Sequence, residues 1–194
     1  MVTLIPFLAA LLAVPITTAD DPAIWQIDVV HSDITFRVRH FVTKVPGTFT
    51  SWQGTITADP ANLGAGSVEV SIDVASVSTR NDRRDAHLRP PDFFAADSFP
   101  TMTFKSTQVE VNGSELKVAG DLTIKGKARS VVLIGEYAGT FGPPQPRQQR
   151  IGFNASTKLN RLDCGLKWNR LVDGTNMLGD EVDITINFEA VRTN

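Results

Sequence analysis

Several features that would narrow the function of this 194-residue chain are scarce in its sequence. It has one cysteine, Cys164, so no disulfide can form within the chain. Its net charge is −2, so the chain lacks the excess of basic residues that nucleic-acid binding usually requires. We therefore expect no nucleic-acid partner. Tyrosine occurs once, whereas phenylalanine occurs 11 times. Aromatic rings without hydroxyl groups suit an apolar interior.

The sequence also lacks the short motifs of common catalytic and metal sites. It contains no Cys-x-x-Cys, His-x-His or His-Glu-x-x-His, the spacings that bring metal ligands together. A glycine-rich phosphate loop and a Gly-x-Ser-x-Gly nucleophile turn are missing as well. We therefore predict a protein that is not an enzyme and that holds neither a metal ion nor a cofactor.

The longest apolar run lies at the start of the chain, where residues 4–14 are interrupted only by Pro6. Pro15 and the small run Thr17-Thr18-Ala19 follow, a pattern typical of a signal peptide with cleavage after Ala19. A transmembrane anchor is the alternative, but the run falls short of the about 20 residues that a spanning helix needs. We interpret residues 1–19 as a signal peptide and 20–194 as one domain, with no stable membrane anchor after cleavage.

Beyond the signal peptide, apolar and polar residues alternate, which is the period of a half-buried strand. Ile34, Phe36 and Val38, for example, alternate with polar neighbours. A parallel sheet covered by helices would show continuous apolar runs, so the sheet is predicted to be antiparallel. About eight strands are predicted, near residues 24–30, 33–41, 47–58, 67–77, 101–111, 115–124, 130–138 paired with 148–158, and 179–191.

Turn residues separate these strands. Asn112-Gly113 predicts a tight hairpin. Longer loops are predicted at residues 59–66 and 139–146, where glycine and proline cluster. Residues 78–100 break the alternation and predict a short helix near 82–89 with Asn81 or Asp82 as its N-cap.

An antiparallel sheet of about eight strands must protect its edges. Closure into a barrel does this completely, and eight strands enclose room for one slender ligand. A β-sandwich would show the same alternation, so the pattern favours a barrel but leaves the sandwich open.

Short motifs in a fixed order resemble the YceI-like family of polyisoprenoid-binding proteins, over about Trp25 to Val191. Among them are Trp25-Gln26-Ile27-Asp28, Arg84-Asp85-Ala86-His87-Leu88-Arg89, Gly120-Asp121-Leu122-Thr123-Ile124 and Gly179-Asp180-Glu181-Val182. The resemblance implies an all-β fold, an antiparallel eight-stranded lipocalin-like barrel with an apolar bore and one or two short helices. It also implies a periplasmic or secreted protein, and a homodimer stays open because dimers are common in the family.

The function that the resemblance implies is binding of a long-chain isoprenoid lipid, such as a polyprenyl phosphate or an isoprenoid quinone. One alternative is an enzyme or redox accessory that acts on such a lipid. Another is a ligand-free envelope stress protein whose core is filled by its own side chains.

Residues in phase with the inner face are candidates for ligand contact: Phe36, Val38, Trp52, Ile72 and Phe104. Further wall candidates are Ile56, Val70, Leu122, Ile124, Phe153 and Phe188. Each could instead belong to an ordinary core.

A polar head group would need polar partners at the mouth of the bore. His40 continues the face of Phe36 and Val38, and Arg161 and Trp168 are further candidates. A guanidinium suits a diphosphate or quinone head because it forms charge-assisted hydrogen bonds. A structural role remains open for all three.

Overall fold

The computed structural model describes residues 22–143, 145 and 147–194. The predicted signal peptide, residues 1–19, lies outside the described residues. The strands are β1 (Ile24–Ile27), β2 (Asp33–His40), β3 (Thr43–Phe49), β4 (Trp52–Asp59), β5 (Asn62–Asp73), β6 (Val77–Ser78), β7 (Thr101–Asn112), β8 (Glu115–Ile124), β9 (Lys127–Phe141), β10 (Arg150–Asn160), β11 (Leu171–Val172), β12 (Thr175–Asn176) and β13 (Leu178–Arg192). The described chain has one α-helix, α1 (Asp82–Leu88), and a 3₁₀ turn at Val74–Ser76.

Eight strands form a closed antiparallel ring in the order β1-β4-β5-β7-β8-β9-β10-β13, and β13 pairs back onto β1. β2 pairs with another part of β13, and β3 and β6 extend the sheet from β2. In a closed ring each strand is hydrogen-bonded along both of its edges, whereas the sheets of a sandwich keep unpaired edge strands. The predicted lipocalin-like barrel is therefore confirmed, and the sandwich is not the fold.

The prediction of one strand at residues 47–58 is wrong, because β3 ends at Phe49 and β4 begins at Trp52. The chain bends between them, where the Thr50 N–H donates to the Ser76 carbonyl at 3.2 Å. This bond ties the bend to the 3₁₀ turn, so the backbone group is not available to continue the ladder. The alternation of side chains does not reveal such a bend.

The predicted loop from Asp59 to Gly66 is shorter than expected. β4 and β5 remain paired up to Asp59 and Asn62, with a register shift between Thr57 and Asp59. Gly66 lies at this bulge, where a Cβ atom would be 3.0 Å from the Cβ of Ala58. The glycine therefore marks a close approach inside a strand and not a loop.

Two local predictions are confirmed. Asn112 pairs with Glu115 across a tight hairpin in which Gly113 has a φ of 62°. The short helix α1 begins as expected, with the Asn81 side chain accepting a hydrogen bond from the Arg84 N–H at 3.0 Å.

The strands β9 and β10 differ in extent from their predicted ranges, 130–138 and 148–158. β9 is longer at both ends, and β10 is shifted toward the C-terminus by two residues. Part of the predicted loop 139–146 is therefore strand, and Pro144 and Pro146 lie outside the described residues.

Candidate functional site

The barrel encloses a cavity of about 920 Å³. Alternate side chains of the barrel strands form its wall, as Ile34, Phe36 and Val38 do on β2. Because successive residues of a strand face opposite sides of the sheet, Arg37 and Arg39 are exposed on the outside. The volume is near the upper end of the about 300–1,000 Å³ that is typical of small-molecule pockets.

Protein side chains fill the end of the barrel where β1 pairs with β4 and β13. Trp25 of β1 is fully buried, and its indole Nε1–H donates to the Ala58 carbonyl at 2.9 Å. Ile151 and Ala190, which face each other on β10 and β13, are also fully buried. A ligand in the cavity would therefore meet an apolar floor at this end.

The helix α1 lies at the other end of the cavity, where Thr79 anchors it through hydrogen bonds with Arg84 and Asp85. Arg84 donates from Nε to the Thr79 Oγ1 at 2.6 Å and from Nη2 to the Thr79 carbonyl at 2.9 Å. Asp85 accepts a hydrogen bond from the Thr79 N–H at 2.8 Å and a second from the Thr79 hydroxyl. Thr79 and Asp85 are both buried, so this network holds α1 at the rim of the cavity.

The charged and titratable residues that line the cavity lie at this end. They are Arg83, Arg84, His40 and His87. Among the described residues of the lining, there is no aspartate, glutamate or lysine. An arginine has five N–H donors, and Thr79 accepts from only two of those of Arg84. This end can therefore donate hydrogen bonds to an acidic or carbonyl-bearing head group.

An aromatic cluster adjoins these polar residues. The His87 ring meets the rings of Phe93 and Trp168 edge-on, with centroids 5.1 Å apart in both pairs. The rings of Phe93 and Trp168 also contact each other, with centroids 5.2 Å apart. All three line the cavity, so its mouth is polar on α1 and aromatic beside it.

The structure places most of the candidate residues around the cavity. Phe36, Val38, His40, Ile72, Phe104 and Trp168 all line it. So do the further wall candidates Ile56, Val70, Leu122, Ile124, Phe153 and Phe188. Contact of any of them with a ligand stays a prediction.

Trp52 and Arg161 lie elsewhere. The Trp52 ring stacks on the ring of the wall residue Phe188, with centroids 5.2 Å apart and an interplanar angle of 25°. Arg161 is 3% exposed and donates to the carbonyls of Gly179 and Trp168 and to the Asp180 carboxylate. Burial lowers the pKa of Arg161, and Asp180 opposes that effect. Its contacts are those of a residue that joins two loops, which a sequence does not reveal.

Sequence reasoning did not place α1 at the cavity, and it therefore missed Arg83, Arg84 and Asn81 as lining residues. A signal was present. A polar segment that interrupts alternating strands in a barrel must lie across an end or outside the wall. The local sequence does not say which of the two it does.

One group of three potential metal ligands occurs among the described residues, on the outside of the barrel. Asp28, His31 and Glu189 each offer an atom within 4.8 Å of the others. The Arg150 Nη1 donates to both carboxylates, at 3.4 Å and 2.6 Å. A guanidinium thus already supplies the positive charge that a cation would bring.

A closed antiparallel barrel with an apolar cavity and a polar mouth defines a lipocalin-like fold built around a ligand-sized space. The chain belongs to the family of the YceI-like domain, whose model matches residues 25–190. Within the described residues, no helix has the length and hydropathy to cross a membrane.

Similar proteins agree with this assignment. A UPF0312 protein of Vibrio cholerae is 37% identical over 164 residues, covering 82% of this chain and 85% of that protein. The crystal structure of the Campylobacter jejuni YceI protein has a TM-score of 0.68 and 31% identity, covering 80% of this chain and 90% of that one. A Saccharophagus degradans domain described as polyisoprenoid-binding shares the fold, with a TM-score of 0.64 and 16% identity over 88% of this chain and 99% of its own.

Proposed function

We propose that this protein binds a long-chain isoprenoid lipid in its barrel and acts as a carrier or reservoir for it outside the cytoplasm. The observation that carries the proposal is the cavity of about 920 Å³, apolar along the barrel and polar at the α1 end. A barrel filled by its own side chains, as a ligand-free envelope protein would have, leaves no such space. The predicted signal peptide supports a periplasmic or secreted location.

The energetics of such a cavity favour a long apolar chain. Each methylene removed from water contributes about 0.8 kcal/mol, so ten buried carbons contribute about 8 kcal/mol before ordering costs. Tight binding therefore needs few polar contacts. The description of the Saccharophagus domain as polyisoprenoid-binding suggests which class of chain to test first.

The polar end of the cavity suggests how the ligand is oriented. Arg83 and Arg84 line the mouth, whereas the far end is closed by Trp25. A polyprenyl phosphate and an isoprenoid quinone both carry oxygen acceptors on one end. Either head group would lie beside α1, with the chain extending toward Trp25.

Native mass spectrometry of protein purified from its own cell envelope tests the proposal, followed by organic extraction of any bound molecule. A stoichiometric adduct that releases a prenyl chain is the expected result. Protein at the ligand-free mass, which also stays so after incubation with long prenyl lipids, would contradict it.

An enzyme or redox accessory that acts on such a lipid is the second candidate, and one observation favours it. His40 lines the cavity, and histidine is the side chain that enzymes use most often for acid–base catalysis. Replacement by His40→Gln separates the two functions. A carrier retains its lipid with a small change in affinity, whereas an enzyme loses turnover of the lipid while still binding it.

A further inference from the structure

We infer that the α1 end of the barrel docks reversibly on an anionic lipid bilayer, with exposed apolar side chains of two hairpin tips inserted between the head groups. This surface lies outside the cavity, and the inference goes beyond the identity of the bound lipid. Three observations carry it: the residues of the first tip, the contact between the two tips, and the charge around them.

The first tip is the turn between β2 and β3. His40 pairs with Thr43, which leaves Phe41 and Val42 as a two-residue turn. Only the first of these two residues has a positive φ, as in a type II′ turn, where glycine is preferred at that position. Phe41 has a φ of 50°, which is strained for a bulky residue, and Val42 is 96% exposed. Neither folding nor solubility explains two apolar residues here, so we infer that the tip binds something apolar.

The second tip is the hairpin of β11 and β12, whose turn is Asp173-Gly174 and whose exposed apolar side chain is Leu171 of β11. Leu171 on this hairpin is 68% exposed. The hairpin is joined to the first tip by the hydrogen bond from the Phe41 N–H to the Met177 carbonyl, at 2.8 Å. Met177 in turn donates from its N–H to the Arg170 carbonyl at 2.9 Å. The exposed apolar side chains of the two tips therefore belong to one linked structure.

The surrounding charge is positive. Residues 39–44, 80–89 and 167–177 hold eight of the chain's 19 Lys and Arg residues and three of its 21 Asp and Glu residues. Eight minus three gives a formal charge of +5, in a chain whose total is −2. The end stays positive when Lys44, which pairs with Asp183, is set aside. Basic residues around apolar tips complement a surface of anionic lipids.

The same segments border the cavity. His40, beside the first tip, lines the cavity, and so do Arg83 on α1 and Met177 beside the second tip. A bilayer that covered this end would face the mouth directly. A lipid could then pass between bilayer and barrel without crossing water, which costs about 0.8 kcal/mol for each exposed methylene. Continuity with the mouth favours a bilayer over a protein partner as the occupant.

Vesicle co-sedimentation of the full chain after signal-peptide removal tests the inference. The vesicles contain phosphatidylglycerol with phosphatidylethanolamine, and phosphatidylcholine vesicles serve as the neutral comparison. The test variant combines Phe41→Gly with Val42→Ser, which installs residues that a type II′ turn prefers and should fold at least as well as the parent. The matched control is Val30→Ser, which removes an apolar side chain that is 82% exposed from the turn between β1 and β2.

We expect the parent and the Val30→Ser control to bind anionic vesicles and to bind neutral vesicles more weakly. Binding of the double variant should fall at least about tenfold, because two apolar side chains no longer enter the bilayer. Added salt should weaken binding of the parent, since the Debye length shrinks from about 10 Å at 0.1 M to about 3 Å at 1 M.

Three results would overturn the inference: no binding of the parent to anionic vesicles, equal binding by the double variant, or equal loss in the control. Analytical ultracentrifugation identifies the competing occupant. Self-association that the double variant abolishes, without vesicle binding, would make the tips an interface between two copies. A parent protein that does not bind vesicles, although native mass spectrometry shows the prenyl lipid bound, would overturn this inference and leave the proposed function standing.

Discussion

The ring of Phe36 lies over Gly47, its partner across the β2–β3 pair, so closely that a Cβ atom on Gly47 would be 2.2 Å from the Phe36 Cζ. A similar close approach occurs between Phe104 and Gly120, which are diagonal neighbours on β7 and β8, where the distance to the Phe104 Cζ would be 2.5 Å. In both pairs a glycine leaves room for an aromatic ring of the cavity wall. The absence of a side chain at these two glycines thus allows the rings to take their positions in the cavity wall.

Gly47→Ala should displace the Phe36 ring, which also contacts Phe49 at a centroid distance of 5.6 Å. We expect the free energy of unfolding to fall by about 1–3 kcal/mol, as overpacking of a core does. Urea denaturation measures this. Gly64→Ala is the matched control because its nearest neighbour would be at an ordinary 3.7 Å, and we expect a change within about 0.5 kcal/mol. Equal stability of the two variants would show that the ring moves without cost.

Trp25→Phe should weaken the closed end of the barrel. The variant loses the hydrogen bond from the indole to the Ala58 carbonyl and part of a fully buried ring. We expect a loss of about 1–3 kcal/mol in the free energy of unfolding. Trp52→Phe makes the same exchange at a half-buried residue stacked on Phe188, and its effect should be smaller. A larger effect at Trp52 would contradict the assignment of Trp25 as the floor of the cavity.

Asp85→Ala should release α1 from the rim. Its carboxylate accepts from both the N–H and the hydroxyl of Thr79, and both residues are buried. Leaving these donors without an acceptor should cost about 1.5–3 kcal/mol and speed amide exchange at Thr79. Hydrogen exchange by NMR measures the local effect. The exposed Asp82→Ala in the same helix should leave exchange at Thr79 unchanged, and acceleration in both variants would count against a specific anchor.

His31 should titrate above its usual range, because its hydrogen bond to Asp28, at 3.0 Å, raises the pKa of the imidazole. The same bond lowers the pKa of Asp28. A raised histidine pKa stabilises below the unfolded value, and this contribution is lost as pH rises through the folded one. A lowered aspartate pKa stabilises above the unfolded value, and its contribution is lost as pH falls through the folded one. Both contributions are present between the unfolded pKa values of the two groups.

NMR titration of the His31 ring tests this relationship. Asp28→Asn should return the midpoint toward the usual histidine range, whereas Asp33→Asn, at the start of β2, should leave it unchanged. A midpoint that does not move in Asp28→Asn would show that the ion pair does not persist in solution.

Cys164 should be unreactive in the folded protein. The side chain is 1% exposed, and burial raises the pKa of the thiol. Since the thiolate is the reactive form, modification by a thiol reagent should be at least about tenfold slower in native protein than in denaturant. A comparable rate in both conditions would indicate that the turn after β10 opens frequently.

The strands could be predicted because alternation is a local property of a half-buried sheet. Ile34, Phe36 and Val38 identify both the strand and its inner face without any knowledge of the partner strands. The tight turn at Gly113 and the N-cap at Asn81 are likewise encoded within a few residues. The order of family motifs added the closed barrel, which alternation alone could not separate from a sandwich.

Tertiary structure decided what depends on residues distant in the chain. Arg161 is buried against the carbonyls of Gly179 and Trp168, although its neighbours in sequence resemble a solvated loop. The bend at Thr50 depends on the carbonyl of Ser76, and the bulge at Gly66 depends on its approach to β4.

The placement of α1 shows the same division. Its helical character follows from its own residues, but its position at the mouth depends on how the barrel closes. Arg83 and Arg84 line the cavity because β6, before α1, pairs with β3, whereas β7, after α1, pairs with β5 and β8. Local propensity determined the elements of this protein, and long-range pairing determined which of their polar residues face the cavity.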